Sequence, residues 1–183
     1  MSTLAKFALG MMGQLRPKPA QGDATPKIAL PESQREGGMP LMEALAKRHS
    51  ARDFAPAALP LQMLSNLLWA AYGVNRPDKG RTAPSAINAQ EIDVYVALPS
   101  GAYLYDAADN SLQLVAASDL RRVTGYQDFV DEAPLDLVFV ADLSRMKFVP
   151  ASQREIYASV AAGAISQNVY LFAASTGLAT VIR

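Results

Sequence analysis

The feature that most constrains this chain is a long uncharged segment near its end. Between Glu155 and Arg183 there is no Asp, Glu, Lys or Arg, and the apolar residues do not fall on one stripe. Ser152 and Glu155 have the spacing of a capping box, in which each side chain bonds the other residue's backbone N–H, and Gly177 is a typical helix stop. The pattern therefore predicts a helix over 152–176, about 36 Å long at about 1.5 Å per residue.

A helix that is apolar on every side has to be buried on every side. The chain has 183 residues, which corresponds to one domain with little surface to spare for covering such a helix. A second copy of the chain would supply the missing cover. We therefore expect a homodimer.

The composition excludes several classes of site. The absence of cysteine removes disulfides, thiolate zinc sites, iron–sulfur clusters and a cysteine nucleophile. The single histidine, His49, argues against multi-histidine metal sites and His-dependent hydrolases, so no metal site is expected. Seventeen basic and 17 acidic residues give zero net charge, which argues against nucleic acid as a partner.

The N-terminal region is read as an arm. Residues 1–15 are interpreted as a short amphipathic helix or a frayed end in a cytoplasmic protein, with an export signal as the alternative. No apolar run reaches the about 20 residues that a membrane helix needs, so no membrane contact is expected. Five of the 12 prolines lie in the first 40 residues, which predicts an extended arm over 16–40 lying on a partner subunit. The predicted division is an arm over 1–40 and a domain over 41–183.

Residues 41–141 mix helical and strand patterns. Helices are predicted over 41–48, 60–72 and 118–123, and strands over 91–98, 103–105, 112–115 and 135–141. The last strand is nearly all apolar and is expected to be buried on both faces. A long loop over 74–90 precedes the first strand, and long loops are often functional. The mixed order of helices and hairpins predicts an α+β fold.

A basic segment follows the first predicted helix of the domain. Lys47, Arg48, His49, Ser50 and Arg52 place four possible cations and a hydroxyl within six residues. Arginine binds phosphate through two parallel hydrogen bonds, and serine adds a short neutral one. The alternative is a solvated basic helix end, which would interact favourably with the helix dipole.

The second candidate is the end of the long loop. Ser85, Asn88 and Gln90 alternate with small residues just before a predicted core strand. Small residues let a flat ligand approach the backbone, and amide side chains suit a ring edge that carries both C=O and N–H groups. The alternative is an ordinary polar turn. No dinucleotide or P-loop glycine motif is present.

Together these segments resemble the nitroreductase family of FMN-dependent oxidoreductases. The family's Arg-Arg/His-Ser-x-Arg/Lys-x-Phe block is matched by residues 48–54, and its Pro-Ser-x-x-Asn-x-Gln block by residues 84–90. Its Gly-Leu-Gly-Thr block is matched by residues 177–180, with Ala179 in place of the second glycine. The loop over 80–86 and the hairpin over 101–105 look most like the branch that includes the thiazole/oxazole peptide dehydrogenases.

The resemblance implies a nitroreductase-like α+β homodimer with a mostly antiparallel sheet flanked by helices. It implies two FMN molecules at the subunit interface. Arg48, His49, Ser50 and Arg52 would hold the phosphate, the ribityl chain and the polar ring edge, while Pro84, Ser85 and Asn88 would line the flavin ring from the other subunit. The family continues for a few dozen residues past the third block, so the C-terminal part of the fold is expected to lie outside this sequence.

The activity that the resemblance implies is hydride transfer from NAD(P)H through flavin N5 to a nitroaromatic, a quinone or a similar acceptor. The chemistry would take place on the flavin, so no catalytic side chain is expected. One alternative is a flavin-dependent dehydrogenase or oxidase of a peptide-derived substrate. Another is a non-catalytic flavin-binding dimer module.

Overall fold

The structure is a computed structural model that describes residues 3–183. Its helices are α1 (Thr3–Met11), α2 (Leu41–Lys47), α3 (Leu61–Tyr72) and α4 (Ala151–Thr176). Its strands are β1 (Lys18–Pro19), β2 (Lys27–Ala29), β3 (Ile92–Leu98), β4 (Gly101–Asp106), β5 (Ser111–Ala116), β6 (Ser118–Asp119) and β7 (Asp136–Ala141). Short 3₁₀ turns lie at Ala86–Asn88, Arg121–Val123, Asp128–Asp131 and Leu143–Arg145.

Within residues 3–183 the main sheet has five strands in the order β2-β5-β4-β3-β7, and every pairing is antiparallel. Tyr95 of β3 pairs with Leu104 of β4 on one side and with Val138 of β7 on the other. Helices α3 and α4 pack on the face that carries Val96, Tyr103 and Leu112. This arrangement confirms the predicted α+β fold with an antiparallel sheet and flanking helices.

The N-terminal segment packs on the chain's own sheet. The predicted helix in 1–15 is present as α1, and Lys6 on it donates a hydrogen bond of 2.9 Å to the carbonyl of Gln127. The segment after it is extended, and β2 adds an edge strand to β5 with Ile28 opposite Leu112. The contact of this arm with a partner subunit and the division at residue 40 stay predictions.

Three expectations about local structure are wrong. Residues 118–123 form β6 and a 3₁₀ turn, because β6 pairs with β1 in a separate two-stranded ribbon. Helix α4 begins at Ala151 without a side-chain cap, because Pro150, with its preset φ of -52°, takes the N-cap position. The capping box of Ser152 and Glu155 therefore does not form. Strand β7 lies at the edge of the sheet beside β3 and becomes exposed toward its end, so it is not buried on both faces.

Helix α4 matches the predicted length and stops at Gly177, which has the left-handed φ of 74°. Ile165 is fully buried, whereas Ile156 and Val160 are 63% and 64% exposed. The N-terminal half of the helix thus presents apolar side chains that this chain does not cover. None of the helices in residues 3–183 is long and apolar enough to cross a membrane.

Candidate functional site

The basic segment, residues 48–52, runs from the end of α2 past the C-terminal half of α4. The Arg48 guanidinium lies 5.2 Å from the centre of the Tyr170 ring. Ser50 Oγ lies 2.9 Å from the Tyr170 hydroxyl, and the Ala51 N–H donates to the carbonyl of Thr180 at 2.9 Å. The segment is therefore fixed by contacts with α4 and with the chain that follows it, although His49, Ser50 and Arg52 are exposed.

The cations of this segment are available for an anion. Within residues 3–183, neither Arg48 nor Arg52 forms an ion pair with a carboxylate, whereas the adjacent Lys47 is paired with Glu43 at 2.7 Å. Arg52 lies 6.0 Å from the centre of the Phe129 ring.

His49 has one ring nitrogen committed. Its Nδ1 lies 2.9 Å from the carbonyl oxygen of Lys47. A carbonyl can only accept, so Nδ1 carries the hydrogen and Nε2 is left to bind a ligand or water. A cavity of about 360 Å³ lies beside this residue, lined by Lys47, His49, Ala51, Tyr170 and residues 177–180.

The 84–90 loop has an unusual backbone. Ile87, Asn88 and Gln90 have φ values of 50°, 55° and 49°, all in the left-handed region. For a β-branched residue such as Ile87 this conformation is a genuine outlier. Strain of this kind costs about 1–3 kcal/mol for each residue and concentrates at functional sites. The backbone of the loop is therefore consistent with the predicted functional site, which stays a prediction.

Hydrogen bonds from Gln90 hold this loop in place. The Gln90 N–H donates to Ser85 Oγ at 2.9 Å, and its side-chain amide donates to Asn88 Oδ1 at 3.2 Å. Arg81 Nε donates to Gln90 Oε1 at 3.0 Å. Pro84 and Asn88 are exposed and Ser85 is half-buried, so all three predicted residues lie on one accessible turn.

The two candidate segments lie on different sides of α4. Tyr170 contacts Ser50, whereas Asn168 Nδ2 donates to the carbonyl of Thr82, close to the 84–90 loop, at 3.3 Å. Residues two apart on a helix point about 200° apart. The structure therefore does not bring Arg48, His49, Ser50 and Arg52 together with Pro84, Ser85 and Asn88 within one chain.

A larger cavity of about 890 Å³ shares Tyr170 and residues 177–180 with the smaller one. It lies between residues 53–60, β7, α4 and residues 177–183, and its polar lining includes Thr124, Asp136 and Arg183. Burial raises the pKa of Asp136 to about 6, against the lowering effects of the Thr124 hydroxyl and the Arg183 and Arg121 charges. Neither cavity is lined by residues of both candidate segments.

Sequence reasoning missed two residues of this region. Tyr170, which contacts Ser50, has no sequence signal beyond its place in an apolar helix. Asp136 lies within a strand that was expected to be apolar and buried. The Gln90 amide, expected at a ring edge, is instead bonded to Asn88 and Arg81 within the loop.

A sequence model of the nitroreductase family matches residues 45–183. The match covers well over half of the chain and includes both candidate segments.

The chain belongs to the nitroreductase family.

Relatives of this nitroreductase support the assignment. A protein from Methanocaldococcus jannaschii that is named as a nitroreductase is 31% identical over 167 residues, which cover 86% of this chain and 83% of that protein. A crystal structure of a Ralstonia eutropha protein, also named as a nitroreductase, is 54% identical with a TM-score of 0.88, covering 92% of this chain and 81% of that one.

A more distant likeness links this nitroreductase to the Escherichia coli microcin synthetase complex, at 20% identity and a TM-score of 0.57 over 71% of this chain and 56% of that one. This likeness is consistent with the expected resemblance to the branch of thiazole/oxazole peptide dehydrogenases. At 20% identity it shows a shared fold and nothing more. Membership of the nitroreductase family indicates flavin-dependent oxidoreductase chemistry.

Proposed function

We propose that this protein is an FMN-dependent oxidoreductase that takes hydride from NAD(P)H and passes it to a nitroaromatic, a quinone or a similar small acceptor. The observation that carries the proposal is the left-handed backbone at Ile87, Asn88 and Gln90. Such strain persists only where the surroundings impose it, and here it presents Ser85 and Asn88 on an accessible turn.

The basic segment fits the phosphate of FMN. Arg48 and Arg52 supply donors without a competing carboxylate in the described part of the chain, and Ser50 adds a hydroxyl. The His49 Nε2 is free of the bond that holds Nδ1. Charge-assisted hydrogen bonds from arginine to phosphate are among the strongest in proteins.

The 84–90 loop fits the edge of a flavin ring. The Asn88 carbonyl oxygen is bonded to Gln90, which leaves its NH₂ group for a ring carbonyl. Ser85 Oγ accepts from the Gln90 N–H, which fixes the hydroxyl on the turn that carries Asn88. Pro84, which has no N–H, leaves no unsatisfied backbone donor against the apolar ring face.

In this mechanism the chain binds and orients, and the chemistry of the bound FMN supplies hydride transfer at N5. Arg48 and Arg52 would hold the phosphate end, and Asn88 would bond the polar edge of the ring. No side chain is required to act as general acid or base.

The separation of the two segments on α4 supports a site made by two copies of the chain. Because Asn168 and Tyr170 point to different sides of the helix, the basic segment of one copy and the 84–90 loop of its partner would form each site. The exposed Ile156 and Val160 on the same helix supply apolar area for such an interface.

The test is anaerobic titration of the FMN-loaded protein with NADH or NADPH. We expect the visible flavin band to disappear and to return on adding a quinone or nitroaromatic compound. Absence of FMN binding would overturn the proposal. Binding without bleaching by either nucleotide would favour the peptide-substrate dehydrogenase or the non-catalytic binding module.

A further inference from the structure

The side-chain amide of Gln90 lies between two neighbours that can each act in only one way. Arg81 Nε lies 3.0 Å from Gln90 Oε1, and a guanidinium can only donate. Gln90 Nε2 lies 3.0 Å from the carbonyl oxygen of Lys79, which can only accept. The oxygen and the nitrogen of this amide therefore cannot exchange places without turning both attractive contacts into repulsive ones.

The fixed direction of the Gln90 amide fixes the direction of the Asn88 amide in turn. Gln90 Nε2 also donates to the Asn88 side chain, at 3.2 Å. The Asn88 atom that receives this hydrogen has to be an acceptor, so it is Oδ1. Because the side chain is exposed, Nδ2 is the amide atom that is left for a ligand. Gln90 thus decides whether Asn88 meets a ligand with N–H or with C=O.

Arg81 and Gln90 are themselves held by the main elements of the fold. Arg81 Nη1 donates to the carbonyl of Tyr72, the last residue of α3, at 3.2 Å, and the guanidinium lies 5.2 Å from the centre of the Tyr72 ring. The Gln90 carbonyl accepts from Arg145 at 3.0 Å, and Arg145 bonds Asp93 of β3 at 2.8 Å. The direction of the Gln90 amide is therefore set from outside the 84–90 loop.

We propose that Arg81 and Gln90 are positioning residues that make Asn88 a hydrogen-bond donor toward the cofactor. Arg81 sets the direction of the Gln90 amide, and Gln90 sets the direction of the Asn88 amide. A donor at this position fits a ring carbonyl and repels a group that is itself a donor. This inference rests on the proposed function and deepens it, because it names the residues that select which edge of the ring is bound.

The experiment reverses the polarity of Asn88 with the substitution Gln90→Glu. This change keeps the shape of the side chain and an acceptor for Arg81, but a carboxylate cannot donate to Asn88. Asn88 therefore has to turn its NH₂ group toward the new carboxylate and its carbonyl oxygen toward the ligand. A variant of one atom thus replaces the proposed donor by an acceptor.

Gln62 near the start of α3 offers a matched control. Its Nε2 also donates to a backbone carbonyl, that of Glu32 at 2.9 Å, and to an asparagine oxygen, Asn66 Oδ1 at 3.0 Å. Gln62→Glu therefore loses the same two kinds of hydrogen bond as Gln90→Glu. An effect that came only from lost stability would be the same in both variants.

Affinity for FMN and for riboflavin is measured by quenching of flavin fluorescence. We expect Gln90→Glu to weaken both flavins alike by about tenfold, because Asn88 is proposed to meet the ring and not the phosphate. Gln62→Glu should leave both affinities unchanged. In an Asn88→Ala background, Gln90→Glu should weaken neither flavin further, since its effect passes through the Asn88 amide. Losses that multiply in this double variant, or equal losses in Gln90→Glu and Gln62→Glu, would overturn the proposal.

Two substitutions of Arg81 test the first step separately. Arg81→Met removes the donor to Gln90 Oε1 and should weaken both flavins by about three- to tenfold. Arg81→Lys keeps a donor and should restore most of that affinity. An unchanged affinity in Arg81→Met, or a loss that persists in Arg81→Lys, would overturn the role of Arg81.

Exchange of the Asn88 side-chain hydrogens, followed by NMR in the flavin-free protein, reads the direction of this amide without a ligand. In wild type we expect the rate of an exposed amide. In Gln90→Glu one hydrogen is bonded to the new carboxylate and should exchange about tenfold more slowly. Equal rates in the two proteins would overturn the proposal. If wild-type protein binds neither flavin, the proposed function has failed, and this exchange alone decides whether Gln90 directs Asn88.

Discussion

The hydroxyl oxygen of Tyr170 lies 2.9 Å from Ser50 Oγ, across 120 positions of sequence. The same oxygen accepts a hydrogen bond of 2.8 Å from the N–H of Ile182, so its own hydrogen can be donated to Ser50. The ring of Tyr170 also carries the Arg48 guanidinium on its face. A single side chain of α4 therefore contacts two residues of the basic segment, Ser50 through its hydroxyl and Arg48 through its ring.

Tyr170→Phe should weaken FMN about five- to tenfold, because it removes both hydrogen bonds and keeps the ring beneath Arg48. Riboflavin affinity should change less, since Ser50 and Arg48 are proposed to act on the phosphate end. Fluorescence titration with each flavin measures the difference. Tyr157→Phe, on the exposed part of the same helix, is the control and should leave both affinities unchanged. Equal losses in the two variants would contradict the ordering role.

Arg48→Ala and Arg52→Ala should each lower FMN affinity by roughly ten- to 100-fold, the effect of losing charge-assisted hydrogen bonds of about 1.5–3 kcal/mol. Riboflavin lacks the phosphate, so its affinity should stay nearly constant and the preference for FMN should collapse. The exposed Arg76 lies in the long loop before the 84–90 loop, and Arg76→Ala serves as the control. Variants that keep the full preference for FMN would place the phosphate elsewhere.

Asn88→Ala and Asn88→Gly separate the amide from the backbone at this position. Both lose the side-chain amide, so both should bind FMN and riboflavin more weakly by roughly five- to 100-fold. Glycine adopts the φ of 55° without strain. The free energy of unfolding of Asn88→Gly, measured with denaturant, should therefore exceed that of Asn88→Ala by about 1 kcal/mol. Unchanged flavin affinity in both variants would make Asn88 a turn residue only.

Val160→Asp tests the dimer. Val160 is 64% exposed on α4, so in a monomer the substitution should change stability by no more than about 0.5 kcal/mol. In a dimer built on α4 it buries an unpaired charge, and light scattering should detect monomer at concentrations where wild type is dimeric. The control is Val115→Asp on β5, where the valine is 58% exposed. A wild-type protein that is monomeric and folded at micromolar concentration would refute the homodimer.

Asp136 gives a prediction about pH. Its pKa is raised to about 6 by burial, so the folded state binds the proton more tightly than the unfolded state does. The resulting stability is complete below the ordinary pKa of 3.8 and is lost as the pH rises through 6. The loss is of the order of 2–3 kcal/mol between pH 4 and pH 7.

Asp136→Asn should remove that loss, so its free energy of unfolding should fall less than that of wild type over the same interval. Urea unfolding at several pH values measures both slopes. Asp109→Asn is the control, because the Lys27 ammonium holds the pKa of Asp109 below its usual range and the sign is opposite. Identical slopes for wild type and Asp136→Asn would show that Asp136 does not titrate in this range.

Much of the fold could be predicted from local patterns. The spacing of apolar residues in α3, the alternation in β3 and the glycine after α4 are signals contained within a few residues, and each marked its element correctly. The predicted capping box was wrong because Pro150 takes the N-cap position of α4, two residues before Ser152. The prediction that β7 is buried on both faces was wrong because an apolar sequence does not reveal whether a strand has one neighbouring strand or two.

The candidate site was predictable only in part, for a related reason. Motif blocks identify Arg48 and Asn88 one segment at a time. The residues that order them, Tyr170 and Gln90, act through contacts between segments, and the left-handed path of the 84–90 loop depends on bonds that converge from Arg81 and Ser85. Pairings of that kind are a property of the folded chain, so they had no counterpart in the local pattern.

The contacts made by Asn168 and Tyr170 mean that the geometry of α4 fixes the angle and the distance between Thr82 and Ser50. Inserting a single residue between Asn168 and Tyr170 would turn everything after the insertion by about 100° and advance it by about 1.5 Å. The link to Thr82 would survive, and the link to Ser50 would be lost. Substitutions along the helix are thus compatible with this arrangement. An insertion or deletion between Asn168 and Tyr170 is not, because it would misalign the basic segment with the 84–90 loop.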